Sequence, residues 1–127
     1  MKAKEIKSWE DVPDDYIDVR GPYFKTVRIH KNRWGNHTVK GDSTGGGHEV
    51  MQFKLGEVLA TLQDPDVIHR SKQHEFRYVY HRKKESRLYR VVVQKADKSV
   101  ARFVTAFPVG KIGGVKGEPV YRAKRKI

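Results

Sequence analysis

The sequence predicts an α+β domain in which N-terminal helical elements pack on an antiparallel sheet of three or four strands. Apolar residues recur at helical spacing across residues 51–62, and three later stretches alternate between the two faces of a strand. The connections between those stretches are short and polar, which is typical of hairpins. A chain of 127 residues, 37% hydrophobic and 33% charged, fits one folded domain with a modest core.

The N-terminal region carries short helix and turn signals. Ser8-Trp9-Glu10-Asp11 has the spacing of a capping box, and Pro13 limits a helix there to about one turn. Gly21-Pro22 then breaks the chain. Residues 23–30 alternate loosely, so they fit either a strand or a helix that continues through Trp34.

The middle of the chain predicts one helix followed by a meander of strands. The helix follows a glycine-rich loop at 41–47 and ends at Asp64-Pro65. Its apolar stripe consists of Met51, Leu55, Val58, Leu59 and Leu62. Each strand places one set of side chains on a shared face: Phe76, Tyr78 and Tyr80; Tyr89, Val91 and Val93; Ala101, Phe103, Thr105 and Phe107. The pattern leaves open which sheet face the helix covers.

Charge divides the chain into three parts. Residues 1–24 form an acidic leader with six acids and four bases, residues 25–122 form a single domain, and residues 123–127 form a basic tail. The net charge is +12, and the 103 residues after the leader hold 23 bases against nine acids, a net of +14. A basic body of this kind favours a polyanion partner, because each neutralised phosphate releases counterions.

Composition also excludes several classes of protein. No apolar run reaches the length of a membrane span, and the start lacks the apolar core of a secretory signal, so we expect a cytoplasmic protein without a membrane partner. The absence of cysteine excludes disulfides and thiolate metal sites. The acids after residue 24 are scattered and no HExxH motif occurs, so we expect neither a metal nor another cofactor.

Several residue types fit the cleavage of RNA at its 2′-hydroxyl. That reaction needs a base, an acid and fixed positive charge at the phosphate. His37 and His48 are candidates for base and acid, because histidine titrates near neutral pH. Glu49 either orients His48, acts as a base itself, or stabilises the start of the helix through the helix dipole. Arg90 lies on the less apolar face of its strand and offers a planar fork for phosphate.

Other candidates are open to a structural interpretation. Thr105 is either a core strand residue or a group on an open face, where neighbouring aromatic rings would stack on bases. Any single histidine in a basic protein is commonly a surface residue, and we interpret His69, His74 and His81 as solvated because they lie among charged residues.

An ordered set of motifs resembles the phage-associated branch of the barnase/EndoU/colicin/RelE-like nuclease superfamily, known as the BECR fold. The motifs span about residues 27–122 and are Arg33-Trp34 with His37; His48-Glu49; Leu62-Gln63-Asp64-Pro65-Asp66-Val67-Ile68; Phe76-Arg77-Tyr78; Arg90-Val91-Val92-Val93; Phe103-Val104-Thr105-Ala106-Phe107; and Gly117-Glu118-Pro119-Val120-Tyr121. Three features depart from the family pattern: no proline separates His48 from Glu49, a glycine-rich insertion precedes His48, and Phe107 replaces a tyrosine.

The resemblance implies a BECR-like fold and a metal-independent endoribonuclease, a hydrolase of the toxin or phage-effector kind. Cleavage would leave a 2′,3′-cyclic phosphate. His48 or His37 would transfer protons, Arg90 and Lys111 would stabilise the phosphate, Thr105 would position it, and Glu49 would assist. The residues expected to bind nucleic acid are Arg33, Trp34, Arg77, Tyr78 and Tyr121.

The implied partners are RNA, such as tRNA or another structured RNA, and an acidic immunity or antitoxin protein. Two alternatives remain open. The same basic surface and aromatic residues suit a non-catalytic nucleic-acid-binding module, and the net charge of the body suits a protein-interaction domain with an acidic partner.

Overall fold

The computed structural model describes residues 6–35 and 54–124 and places them on one mixed sheet of seven strands. The strands are β1 (Tyr16–Arg20), β2 (Thr26–His30), β3 (Val67–Ser71), β4 (Arg77–Lys84), β5 (Arg87–Lys95), β6 (Val100–Val109) and β7 (Val115–Arg122). Their order across the sheet is β1-β2-β6-β5-β4-β3-β7. The helices are a 3-10 turn (Trp9–Asp11), α1 (Lys31–Arg33) and α2 (Leu55–Gln63).

The predicted fold class is therefore wrong. The described residues are mostly β, with two short α-helices, rather than N-terminal helical elements packed on a three- or four-stranded antiparallel sheet. The difference arises in the N-terminal third. Residues 16–20, inside the segment interpreted as an acidic leader, form β1, and β1 pairs with β2 across the break at Gly21-Pro22. Residues 26–30, which fitted either a strand or a helix, are a strand.

Long-range pairing completes the sheet. β2 runs parallel to β6, with Val27 opposite Ala101, whereas β7 runs antiparallel to β3 on the far side. The predicted hairpins between β4 and β5 and between β5 and β6 are present. The capping box is also confirmed, since the Ser8 side chain accepts from the Glu10 N–H and the Asp11 side chain accepts from the Ser8 N–H.

Helix α2 covers one face of the sheet, and the main core lies between them. Its buried side chains are Leu55, Val58, Leu59, Thr61 and Leu62. They pack with sheet residues such as Tyr80, Val91 and Val93, all fully buried. We call this side of the sheet the covered face and the other side, on which α2 does not pack, the open face.

A bulge in β6 changes which side chains reach the open face. Val93 pairs with Phe103 but Val92 pairs with Thr105, so Val104 is an extra residue in β6. The register beyond the bulge is thereby shifted by one residue, which exchanges the two faces. Ala101 and Phe103 lie on the covered face, but the prediction that Thr105 and Phe107 share a face with them is wrong. Both lie on the open face, opposite Val92 and Arg90.

In the part of the chain covered by these ranges, no helix is long and apolar enough to cross a membrane.

Candidate functional site

The open face carries a groove made of two adjoining pockets. The wide pocket has a volume of about 450 Å³ and lies over the ends of β4, β5 and β6, where its polar lining consists of His30, Arg33, Arg77, Gln94, Lys95 and Arg102. The narrow pocket, of about 280 Å³, continues along the same strands and is lined by residues that include Arg90, Thr105 and Phe107. Arg33, Arg77 and Val104 line both pockets, so the two form one channel, which we call the basic groove.

The described lining of the basic groove carries formal charge of one sign. Four arginines line it, namely Arg33, Arg77, Arg90 and Arg102, together with Lys95. Among the described lining residues there is no carboxylate. Cations that converge on one groove favour a bound anion, and arginine suits phosphate because its planar fork donates two parallel hydrogen bonds.

Strand register explains why these arginines meet. Arg77 in β4 lies opposite Gln94 in β5, and the Arg77 Nε–H donates to Gln94 Oε1 at 3.2 Å. Arg102 in β6 lies opposite Gln94 on its other side. Arg33 extends from the end of α1, and its Nε–H donates to the carbonyl oxygen of Val104 at 2.9 Å. The bulged residue therefore anchors one of the arginines.

Arg90 is held more tightly than a surface arginine. Its Nε–H donates to Nε2 of His81, directly opposite on β4, at 2.9 Å, and its Nη2 donates to the carbonyl oxygen of Gly113 at 2.7 Å. Its guanidinium carbon lies 5.9 Å from the ring centroid of Phe107. These contacts fix the guanidinium between β4 and the β6–β7 connection at 110–114, so an anion in the narrow pocket meets a donor that is already oriented.

Burial keeps the imidazole of His81 neutral. The side chain is fully buried, and desolvation together with the nearby Arg90 charge lowers the pKa of His81 to about 3. Because Nε2 accepts the hydrogen bond from Arg90, the proton of the neutral ring is assigned to Nδ1. Burial also lowers the pKa of Arg90, although an arginine remains charged at neutral pH.

The earlier interpretation of the histidines is thus partly wrong. His81 and His69 are buried rather than solvated, because both lie in strands at the interior of the sheet. Desolvation and the charge of Arg122 lower the pKa of His69. His74 is exposed, as expected, but it also lines the narrow pocket. Its backbone N–H donates to Ser71 Oγ at 3.4 Å in the turn before β4.

The structure brings several predicted site residues together and separates others. Arg33, Arg77, Arg90 and Thr105 all line the basic groove. Lys111 is exposed in the connection that also supplies Gly113 to Arg90.

Three predicted aromatic contacts lie away from the groove. Trp34 is buried and packs on Phe103, with ring centroids 5.8 Å apart. Tyr78 is buried on the covered face against Phe24, and Tyr121 is half-buried against the core. His37, His48 and Glu49 lie outside the described residues.

Sequence reasoning gave too little weight to three groove residues. The sequence assigned no role to Arg102 or His30, and His74 was interpreted as solvated. The alternation of β5 already placed Arg90 and Gln94 on one face, but the register that adds Arg77 and Arg102 on either side of Gln94 is visible only in the folded sheet.

Within residues 6–35 and 54–124, no group of three or more histidine, aspartate or glutamate side chains has the arrangement needed to hold a metal ion. Comparison with protein-family models, with curated proteins and with solved structures finds no match to this chain.

Proposed function

We propose that the basic groove binds the phosphate backbone of RNA and that the protein is a metal-independent endoribonuclease. The observation that carries the proposal is the convergence of four arginines on one groove of the open face, with no carboxylate in its described lining. Fixed positive charge is what a phosphorane-like transition state requires when a metal does not supply it. The net charge of +12 also favours the approach of a polyanion.

In this proposal Arg90 is the main phosphate ligand. Its bonds to His81 and Gly113 use two of its five N–H groups, and the guanidinium borders the narrow pocket. Thr105 lines the same pocket and positions the phosphate, while Lys111, in the adjoining connection, adds charge. His48 or His37 serves as base and acid, with Glu49 assisting. His74 joins them as a third candidate, because it lines the narrow pocket with Arg90.

The reaction is attack of the 2′-oxygen on the neighbouring phosphorus. A base removes the 2′-hydroxyl proton, the bond from phosphorus to the 5′-oxygen breaks, and an acid protonates that leaving oxygen. The products are a 2′,3′-cyclic phosphate and a 5′-hydroxyl. The mechanism predicts that an RNA carrying 2′-O-methyl groups binds but is not cut, because its 2′-oxygen cannot act as the nucleophile.

A cleavage assay tests this proposal. Purified protein is incubated with cellular RNA, with and without EDTA, beside His48→Ala, His37→Ala, His74→Ala and Arg90→Gln. We expect EDTA-resistant products with cyclic phosphate ends, lost in Arg90→Gln and in at least one histidine variant. Arg87→Gln is the matched charge control, because Arg87 is exposed at the start of β5 and does not line the groove. Full activity in all three histidine variants would refute the mechanism.

A second candidate is a nucleic-acid-binding module without catalysis. One observation favours it: the two described imidazoles of the groove, His30 and His74, line different pockets rather than the same one. Two-histidine catalysis needs both rings at one phosphate. RNA that stays intact yet binds with a strong salt dependence would select this candidate.

A toxin of this kind would need a neutralising partner. An acidic immunity or antitoxin protein that covers the basic groove would match its charge and block the phosphate site. Protection of Arg77 and Arg90 from chemical modification, when such a partner is bound, would support this arrangement.

A further inference from the structure

The register of the sheet aligns arginines in a single row across the open face. Arg28 in β2 lies opposite Arg102 in β6, and Arg102 lies opposite Gln94 in β5. Gln94 in turn lies opposite Arg77 in β4. Because neighbouring strands are about 4.8 Å apart, the Cα atoms of Arg77 and Arg102 lie about 10 Å apart on either side of Gln94. Both arginine side chains line the wide pocket.

The cations at this end of the sheet differ in their partners. Arg28 donates two hydrogen bonds to the Asp18 carboxylate, at 2.7 and 2.9 Å, so its charge is neutralised within the protein. Arg77 donates instead to a neutral glutamine amide. Within residues 6–35 and 54–124, no carboxylate pairs with Arg77, Arg102 or Lys95, and all three line the wide pocket. Their three positive charges therefore act on whatever occupies that pocket.

We propose that the wide pocket binds an oligophosphate, a chain of linked phosphoryl groups such as the one at the 5′ end of an RNA or on a nucleotide. A phosphate within the RNA backbone carries one negative charge, whereas a single terminal phosphate already carries about −1.5 to −2 at pH 7 and a longer chain carries more. An oligophosphate thus matches three converging cations better than one backbone phosphate does. The pocket volume of about 450 Å³ lies in the range of small-ligand sites.

Gln94 completes the set of donors. Its Oε1 accepts from the Arg77 Nε–H at 3.2 Å, which assigns the amide NH₂ as a donor for a ligand. Lys95 is fixed beside the start of β4, because its backbone N–H donates to the carbonyl oxygen of Phe76 at 2.8 Å. Phosphoryl oxygens in the pocket would meet donors from three adjacent strands, and each guanidinium offers a bidentate fork.

A series of inorganic phosphates tests the ligand class. Orthophosphate, pyrophosphate and tripolyphosphate are titrated into the protein by calorimetry at one ionic strength with EDTA present, and citrate serves as a multiply charged anion without phosphoryl groups. We expect pyrophosphate and tripolyphosphate to bind at least about 10-fold more tightly than orthophosphate and citrate. That gain corresponds to one further hydrogen bond between charged groups.

An isosteric change at the centre of the row is the sharpest variant. Gln94→Glu places a carboxylate between the two arginines, where it pairs with them and repels an anion, so tripolyphosphate should bind at least about 10-fold more weakly. Gln63→Glu is the matched control, because Gln63 is exposed at the end of α2 and does not line the groove. Arg102→Gln should lose as much affinity as Gln94→Glu, whereas Arg87→Gln should keep the wild-type affinity. Gln94 and Arg102 are exposed, so these variants should fold.

A second arm identifies the source of the oligophosphate. A 2′-O-methyl strand is prepared with a 5′-triphosphate and with a 5′-hydroxyl, and its dissociation constant is measured by fluorescence anisotropy. Tighter binding of the triphosphate strand, lost in Gln94→Glu, would identify an RNA end; this form of the inference rests on the proposed function. Equal binding of the two strands, together with tight binding of tripolyphosphate, would identify a nucleotide.

The inference and the proposed function fail separately. Equal affinity for the three phosphates and citrate, or an unchanged affinity for tripolyphosphate in both Gln94→Glu and Arg102→Gln, would overturn the inference while binding of the 5′-hydroxyl strand stands. Tight binding of tripolyphosphate without binding of the 5′-hydroxyl strand would support the inference and remove the proposed function.

Discussion

The salt dependence of RNA binding should report the number of groove arginines that contact phosphates. On a single strand, each neutralised phosphate contributes about 0.7 to the slope of log affinity against log salt. If each of the four groove arginines neutralises one phosphate, the slope is about −2.8. Affinity should then fall about 50-fold when the salt concentration rises from about 50 to about 200 mM.

Arg77→Gln removes one of these contacts without opening the core. Arg77 is half-buried, lines both pockets, and has its Nε–H bonded to Gln94 at 3.2 Å. The slope should drop to about −2.1, so that the same change in salt weakens binding only about 20-fold. Anisotropy titrations with a labelled 2′-O-methyl strand at four salt concentrations measure both slopes.

Arg87→Gln separates the groove from the overall charge of the chain. It removes the same charge, but Arg87 alternates with Tyr89 on the covered face of β5. Its slope should match that of the wild type. The reasoning fails if Arg77→Gln keeps the wild-type slope, or if Arg87→Gln lowers the slope by the same amount.

Three further predictions concern stability. The pKa of His81 falls from 6.5 to about 3 on folding, so the unfolded chain binds a proton that the native state does not bind as the pH falls. The free energy of unfolding should therefore drop by about 2–3 kcal/mol between about pH 7.5 and 4.5. Urea titrations should show a smaller drop in His81→Gln, and an equal drop would contradict the lowered pKa of His81. Gly21→Ala places a Cβ against the carbonyl oxygen of Leu62, and this clash should lower the free energy of unfolding by about 1–3 kcal/mol. An unchanged melting temperature would disprove the close contact. The Tyr80 hydroxyl is buried without a hydrogen-bond partner among residues 6–35 and 54–124. Tyr80→Phe should therefore leave the free energy of unfolding unchanged or raise it, as measured by thermal unfolding. A decrease of more than about 1 kcal/mol would show that the hydroxyl does have a partner.

Local signals in the sequence predicted local structure well. The capping box, the end of α2 at Gln63 and the two hairpins joining β4, β5 and β6 all depend on residues close together in the chain. The pairing of Val27 with Ala101 depends on residues that are far apart in sequence, and neither strand contains a local signal that identifies its partner. That is why the fold class was predicted with too few strands and with helical elements at the N-terminus, while residues 23–30 fitted either a strand or a helix.

The functional site was predicted only in part, again because contacts between residues distant in sequence decide its arrangement. Strict alternation placed Arg90 on the less apolar face of β5, which is the open face of the folded sheet. Alternation failed for Thr105 and Phe107, because one bulged residue, Val104, exchanges the faces of β6. The role of His81 was hidden because its neighbours in sequence are charged, whereas its neighbours in space are the inner strands of a sheet. Only the folded register shows that its ring holds Arg90.

A residue-resolved nuclear magnetic resonance titration tests the central claim most directly. The labelled protein is titrated with the 2′-O-methyl single strand, and amide shifts are compared between the two faces of the sheet. Binding in the basic groove predicts the largest shifts at Arg77, Arg90 and Thr105, with small shifts along α2 (Leu55–Gln63). Shifts concentrated on α2, or no saturable shift at any residue of the open face, would contradict the account.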